Sequence, residues 1–308
     1  MNYEGWICRS PMERAAFMLP VAVGCSYNAC KFCTLFKHMK YRELPMEDIE
    51  AELIRVKEAG GNPKRVFLGD GNAFGLKTEK LLKILEMIHT YFPACEGVNM
   101  DATVTNILEK SDEELKALKE AGVCELYLGI ETGLDDVLAF MVKDHNLAQV
   151  HCAIERLHKT GLEYDSHMMT GIAGKGRGIE NAEALAPFYN QTKPRKICNF
   201  SLFLHRESPL YKDIESGEFV PSDELENLIE ERRLLELLEL EDVKYDSFHD
   251  FCGVRVKGTL PKDKEKMLMK LDTAIEEMKN KEPVYAYVDG CCCELDLYEM
   301  ADPGFRDK

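Results

Sequence analysis

The stretch VAVGCSYNACKFCTLF, Val21–Phe36, carries three cysteines, Cys25, Cys30 and Cys33, in a C-x4-C-x2-C spacing. The apolar run before it, LPVAVG (Leu19–Gly24), reads as a β-strand, so the cysteines occupy a loop at a strand's C-terminal end. A structural zinc site normally closes its coordination with four protein ligands, usually paired as C-x-x-C with a second pair elsewhere. This loop offers three, asymmetrically spaced. His38, five residues past Cys33, would complete a Cys3His zinc site. The other reading is a cubane iron–sulfur cluster held by three thiolates, whose fourth iron stays open to a substrate or cofactor. From the residues alone, both readings stand.

Outward from this loop, as far as about Leu204, a strand-like run is repeatedly followed by a helical one. Strands are predicted at Leu19–Gly24, Lys64–Gly69, Gly97–Thr103, Cys124–Ile130, Leu162–Thr170 and Ile197–Leu204. Helices are predicted at Pro45–Glu58, Lys77–Tyr91, Ser111–Ala121, Ala148–Thr160 and Gly178–Tyr189. Thr78 or Ser111 suits an N-cap, and Asp112, Glu113 and Glu114 suit a first turn. Ala59-Gly60-Gly61, Ala121-Gly122 and Thr160-Gly161 read as helix exits. Such alternation means a parallel sheet with right-handed crossovers. The fold class expected is α/β, a partial (β/α)6 TIM-like barrel, in which function sits at the C-terminal ends of the strands.

After Pro209 the pattern changes. Ser222–Glu241 reads as a long acidic helix, VKYDSFHDFCGVRVKGTL as a strand and turn, and Pro261–Lys281 as a further helix. These form a C-terminal α+β extension, expected to cover the barrel mouth.

The 308 residues bury a substantial core without disulfide staples. No run of eighteen apolar residues occurs and no secretory signal is seen, so no membrane partner is expected. The twelve cysteines then read as thiols of a reducing, cytoplasmic setting. Cys8, Cys95, Cys124, Cys152 and Cys198 stand singly in mostly apolar surroundings and read as buried small hydrophobes. The net charge of −16 repels phosphate backbones, so a small-molecule substrate suits the surface better than nucleic acid.

With these residues in place, the loop resembles the cluster-binding loop of the radical S-adenosylmethionine (radical SAM) superfamily, coproporphyrinogen-oxidase-like and Elp3-like branch. That family's usual spacing is three then two, and here it is four then two. Phe32, just before the last cysteine, matches the family habit. FLGDGNAF (Phe67–Phe74) resembles the segment that holds the SAM amino group, LYLGIETGLDDVLAFMVKDHN (Leu126–Asn146) the GxExG stretch, and MMTGIAGKG (Met168–Gly176) the Gly-rich turn near adenine. LFLHRESPLYKDIESGEF (Leu202–Phe219) is similar to the region after the sixth strand.

The resemblance implies a [4Fe–4S] cluster on Cys25, Cys30 and Cys33, with S-adenosylmethionine chelating the open iron. One electron from a low-potential donor of flavodoxin or ferredoxin type then splits SAM into methionine and a 5′-deoxyadenosyl radical, which abstracts hydrogen from substrate. It implies Gly69, Asp70, Gly71 and Asn72 for the amino group and Glu131 for the ribose or methionyl part. Lys143 would serve the carboxylate or stand solvated at a helix end, and Gly171, Ile172 and Gly174 would flank adenine. Asp101, Thr103, His167 and His205 are candidates to face substrate. Residues 1–18 form an N-terminal segment, 19–215 the core barrel and 216–308 the extension. Cys291, Cys292 and Cys293, with Cys252 or an acid, are a candidate second metal site, or a reactive thiol. Peptide or RNA modification, and a non-catalytic zinc- or cluster-binding protein, are the alternative functions.

Overall fold

The predicted strands and helices are largely present, because each is an apolar run or stripe bounded by its own stop signals. In the computed structural model, which describes residue 4 and residues 9–289, the elements run β1 (Phe17–Pro20), β2 (Ala22–Val23), β3 (Arg42–Glu43), α1 (Met46–Glu58), β4 (Arg65–Gly69), α2 (Thr78–Tyr91), β5 (Gly97–Ala102), α3 (Val104–Glu109), α4 (Asp112–Glu120), β6 (Val123–Glu131), α5 (Asp135–Phe140) and α6 (Leu147–Thr160). There follow β7 (Glu163–Thr170), α7 (Gly178–Thr192), β8 (Lys196–Ser201), β9 (Leu204–His205), α8 (Pro209–Ser216), α9 (Glu224–Leu237), β10 (Val243–His249), β11 (Val254–Leu260), α10 (Lys264–Met278) and β12 (Tyr287–Val288).

Helix ends follow local chemistry. At α4 the Ser111 hydroxyl accepts from the Glu114 N–H while the Ser111 N–H donates to the Glu114 carboxylate, a reciprocal capping box. Asn146 and Gln149 do the same for α6, which exits through Gly161 at φ 77°. Ser111→Ala should therefore cost about 1 kcal/mol of stability, read as a lower urea midpoint at unchanged slope.

The chain divides into two compact units. The first takes in the described residues before Cys30, with Leu35–Gly129 and Asp144–Asp165. Its strands are parallel in the order β1-β4-β5-β6, with Phe17 beside Val66, Arg65 beside Gly97 and Val98 beside Val123. Leu19, Val66, Leu68, Val98, Met100, Leu126 and Leu128 are wholly buried, as expected of a parallel sheet covered on both faces. A polar group is buried among them. Glu13 accepts from the Tyr127 hydroxyl at 2.6 Å and from Asn99 at 2.8 Å, and Asn99 also donates to Glu125 at 3.2 Å.

The first predicted strand proves to be two. Pro20 ends β1 opposite Gly69, and the chain then turns so that β2 pairs antiparallel with β3, Val23 facing Arg42. Proline has no N–H to continue a ladder, which is where the run breaks.

The second unit takes in Cys30–Thr34, Ile130–Lys143 and the described residues from Ser166 onward. Here the order is β7-β8-β10-β11. The predicted strand and turn is a full hairpin: β10 runs parallel to β8, Tyr245 beside Ile197, and antiparallel to β11. Helix α9 is shorter than the predicted Ser222–Glu241, and Glu224, Glu230 and Glu231 on it are buried rather than solvated. Cys95 and Cys198 are buried as expected, whereas Cys124 is half-buried and Cys152 is exposed. Cys8 lies outside the described residues. The chain is thus a mixed α/β protein with a mostly parallel sheet, the class of partial TIM-like barrels.

Candidate functional site

In the first unit, β2 delivers the chain through Gly24 (φ 78°) into Cys25. Asn28 also takes a positive φ, 46°, held by its own amide donating to the Phe36 carbonyl at 2.7 Å, while Lys37 Nζ donates to the Asn28 carbonyl at 2.5 Å. Asparagine is among the few residues that tolerate this backbone region. At the end of β4 the Gly69–Asp70 peptide is cis. Gly71 must be glycine: a Cβ there would lie 2.5 Å from the Phe36 ring and 2.9 Å from the Cys25 Cβ.

Asn72 is buried, and its amide nitrogen donates to Ser26 at 2.8 Å and to Asn106 at 2.6 Å. Its carbonyl oxygen has no hydrogen-bond partner. Thr103, expected to face substrate, instead caps α3, accepting from the Asn106 N–H and donating to the Asn106 side chain at 2.7 Å. Burial first, then the Asp70 and Glu13 carboxylates, push Asp101 up to about 8, so it keeps its proton at neutral pH.

In the second unit, Cys30, Phe32 and Cys33 pack with Val137, Met141, Ile172 and Leu210. The backbone of Lys31 is pinned on both sides: its N–H donates to Met141 O and its carbonyl accepts from Leu210 N, each at 3.0 Å. The Lys31 ammonium meets Asp213 at 2.8 Å and lies 4.1 Å from the Phe140 ring centre.

Glu131 closes β6 at φ 65° and pairs with Lys143, Nζ to Oε1 3.0 Å. The side chains are 6% and 8% exposed, so Lys143 is not solvated at a helix end, and its ammonium meets Glu131. The second Glu131 oxygen, Oε2, is buried with no hydrogen-bond partner. Burial pushes His167 down to about 4, with Glu131 opposing and Lys143 assisting, so the imidazole is neutral at pH 7.

The turn after β7 uses Gly171 at φ 81° and Gly174 at φ 82°, the Gly174 N–H donating to Gly171 O at 3.0 Å. The side chain of Ile172 is wholly buried in the apolar group around Phe32, so this turn can offer a ligand only its backbone edge. Two residues with no sequence signal hold this region. Asn181 accepts from Thr132 Oγ1 at 2.6 Å and Gly133 N at 3.0 Å, then donates to Glu230 at 2.6 Å, whose other oxygen accepts from Gly171 N at 2.8 Å. Neither a mid-helix asparagine nor one acid among many on α9 announces itself. Burial pushes Glu230 up to about 7 against those bonds. His205 is buried on β9, its imidazole pushed down by burial.

The second metal site expected at Cys291–Cys293 lies outside the described residues. Cys252 sits 3.8 Å from Glu224, and burial, then that carboxylate, push its thiol up to about 12. His38, the fourth ligand of the zinc reading, is exposed.

Among the described residues, no group of three or more His, Cys, Asp and Glu side chains is gathered around one point as in a loaded metal site. The donor set nonetheless fits a three-thiolate cluster with a chelating cofactor. The three thiols are half-exposed, undisulfided and within nine residues of one loop. In each unit a buried acceptor lacks a donor, Asn72 Oδ1 in the first and Glu131 Oε2 in the second. An ammonium and ribose hydroxyls are donors of the kind these oxygens want.

Comparison with known proteins agrees. The family model described as the radical SAM superfamily matches residues 19–186, more than half of the chain. The chain is 31% identical over 155 residues to the heme chaperone HemW of Bacillus subtilis, covering 48% of this chain and 41% of that protein. It is 28% identical over 180 residues to the biotin synthase of Aquifex aeolicus, covering 56% and 51%. It thus spans about half or less of the length of these relatives. Among solved structures, methylornithine synthase superposes with a TM-score of 0.52 at 14% identity, covering 83% of this chain and 68% of that one. Elp3 of Methanocaldococcus infernus gives 0.52 at 16% identity, covering 75% and 57%. These likenesses are of fold.

Proposed function

Since the chain belongs to the radical SAM superfamily, a family that implies a [4Fe–4S] cluster and S-adenosylmethionine, we propose that it is an enzyme that cleaves SAM reductively and takes hydrogen from a small-molecule substrate. The observation that carries this reading is the loop of three half-exposed thiols, Cys25, Cys30 and Cys33, directly after a strand. The bound cluster and SAM supply the radical chemistry, with the electron coming from a low-potential donor. Residues 19–215 would form the catalytic core and 216–308 an extension.

The chain's own residues hold and orient. The unbonded Asn72 oxygen accepts from the SAM ammonium, with Gly69, Asp70 and Gly71 giving close backbone approach. Phe32 packs behind the thiols. Glu131, paired with Lys143, accepts from ribose hydroxyls through Oε2. The backbone edge of Gly171, Ile172 and Gly174 lies along adenine. His167 is neutral and can donate or accept without adding charge, and protonated Asp101 can give up a proton. The net charge of −16 favours a small molecule over RNA. The likeness to a heme chaperone favours a second reading, tetrapyrrole handling without turnover of substrate.

Anaerobic reconstitution with iron, sulfide, SAM and dithionite tests the proposal. Formation of 5′-deoxyadenosine supports it, whereas stoichiometric zinc and no cleavage would sink it. Hemin binding without cleavage would favour the second reading. Glu131→Gln removes a charged acceptor worth about 1.5–3 kcal/mol, so SAM Kd should rise about tenfold or more by equilibrium dialysis.

A further inference from the structure

Charge is unevenly placed along this chain. It holds 55 acids, yet none occurs from Arg14 to Arg42. The part of that run after Cys25 carries Lys31, Lys37, Lys40, Arg42 and His38. In the first unit the β2–β3 hairpin folds the basic end of the run back beside the strand that leads into Cys25. Arg42 stands opposite Val23, two residues before the cysteine. A methyl on Gly24 would lie 3.6 Å from the Tyr41 Cα and 3.8 Å from the Met39 Cβ. The segment that carries Lys40 and Arg42 therefore runs beside the strand that leads into Cys25.

His38, Lys40 and Arg42 are exposed and Lys37 is half-exposed. The acids at the rim are already matched: Glu4 pairs with Arg42, and Glu43 with Lys80 at 3.0 Å. Lys37 and Lys40 add positive charge that those two acids do not cancel. On a surface of net charge −16 this is an island of opposite sign beside a candidate iron ligand.

We propose that the hairpin surface of Lys37, His38, Lys40 and Arg42 is the docking site of an acidic one-electron carrier protein that reduces the cluster. This rests on the radical SAM reading above. An acidic carrier is repelled by most of an acidic chain, so productive encounter is steered to a face that attracts it. With a Debye length of about 8–10 Å at physiological salt, the local cations rather than the distant acids set the potential at contact. With a cluster held by Cys25, Cys30 and Cys33, the carrier would give up one electron, the cluster would take it, and the cluster would in turn supply it to the SAM sulfonium for cleavage of its S–C5′ bond. Nucleic acid is the other polyanion that cations attract, and it is disfavoured because so few of them face an otherwise acidic chain.

The test compares wild type with Lys40→Glu plus Arg42→Glu, and with the milder Lys40→Gln plus Arg42→Gln, none of which touches the proposed cofactor contacts. Binding of oxidised acidic flavodoxin is measured by thermophoresis at low and at physiological salt. 5′-Deoxyadenosine is measured with reduced flavodoxin and, separately, with dithionite, which needs no docking. Charge reversal should weaken flavodoxin binding about tenfold or more and flatten its salt dependence, with neutralisation intermediate. Flavodoxin-driven cleavage should fall in parallel while dithionite-driven cleavage holds. Unchanged flavodoxin binding and turnover in both variants would overturn the docking site and leave the enzyme reading intact. A tRNA transcript that binds wild type but not the variants, with flavodoxin indifferent to the changes, would overturn it too. No cleavage by wild type with dithionite would instead overturn the enzyme reading; the docking site then falls only if flavodoxin binding also ignores the charges.

Discussion

Cys30→Ala, reconstituted anaerobically and reduced with dithionite, forms no 5′-deoxyadenosine above a protein-free control. In the proposed site Cys25, Cys30 and Cys33 hold the cluster, and loss of one leaves two. Losing even an outer-shell partner costs metal sites about 10–100-fold, so losing a ligand should cost more than ~100-fold in turnover. Bound iron should fall from about four per chain to a small fraction of that. The fold should survive, because Cys30 sits at the edge of an apolar group whose buried members are Phe32, Met141, Ile172 and Leu210, and their packing is untouched. An unchanged circular dichroism spectrum with absent turnover is therefore expected. Turnover by Cys30→Ala at the wild-type rate would overturn the assignment of the loop.

Stability should fall steeply with alkalinity, through His249. This imidazole is wholly buried; Nδ1 faces Glu224 at 3.1 Å and Ser201 at 2.7 Å, and Nε2 faces Glu231 at 2.5 Å. Burial disfavours its charge, but the bonds to Glu224 and Glu231 outweigh that and hold it up to about 10, against an ordinary 6.5. A group raised on folding contributes its stability in full below the unfolded value and loses it as pH climbs through the folded one. The window here runs from about 6.5 to about 10, with a loss on the order of 3–5 kcal/mol across it. Glu230 and Asp101 also lose stabilisation as pH rises, but their windows close near 7 and near 8. The Cys252 thiol, pushed up to about 12, also loses stabilisation above pH 8, but it does so in wild type and Glu231→Gln alike, so their difference there reports His249. At pH 7 that variant leaves the imidazolium short of a partner and should be less stable by about 3–5 kcal/mol. Between pH 8 and 10 its urea midpoint should fall less than that of wild type. A wild-type midpoint that stays level over that range would sink the idea.

Strands β4 to β8 were legible because each is an apolar run closed by Gly or a polar turn, and the helices between them because their stripes have period 3.6. The β2–β3 hairpin was not, since two-residue strands leave no period to read. The cysteines were legible as candidate ligands because three soft donors in one loop have few other uses. The tie between Glu131 and Lys143 was not, because a separation of twelve positions hides a contact that a short helix brings about. On α9 the acids Glu224, Glu230 and Glu231 read only as part of a long acidic helix. Their burial depends on Ser201, His249, Asn181 and the Gly171 amide, partners that arrive from other elements. Tertiary hydrogen bonding, not helical period, decides such positions.

Asn28 gives the sulfur-bearing segment a fastening of its own. One left-handed residue, clamped from both sides by Phe36 and Lys37, stores the slack of the longer gap between the first two thiols. The bend is thereby written into the polypeptide and not left for a metal to impose, so the segment that follows Cys25 keeps its course with no iron bound.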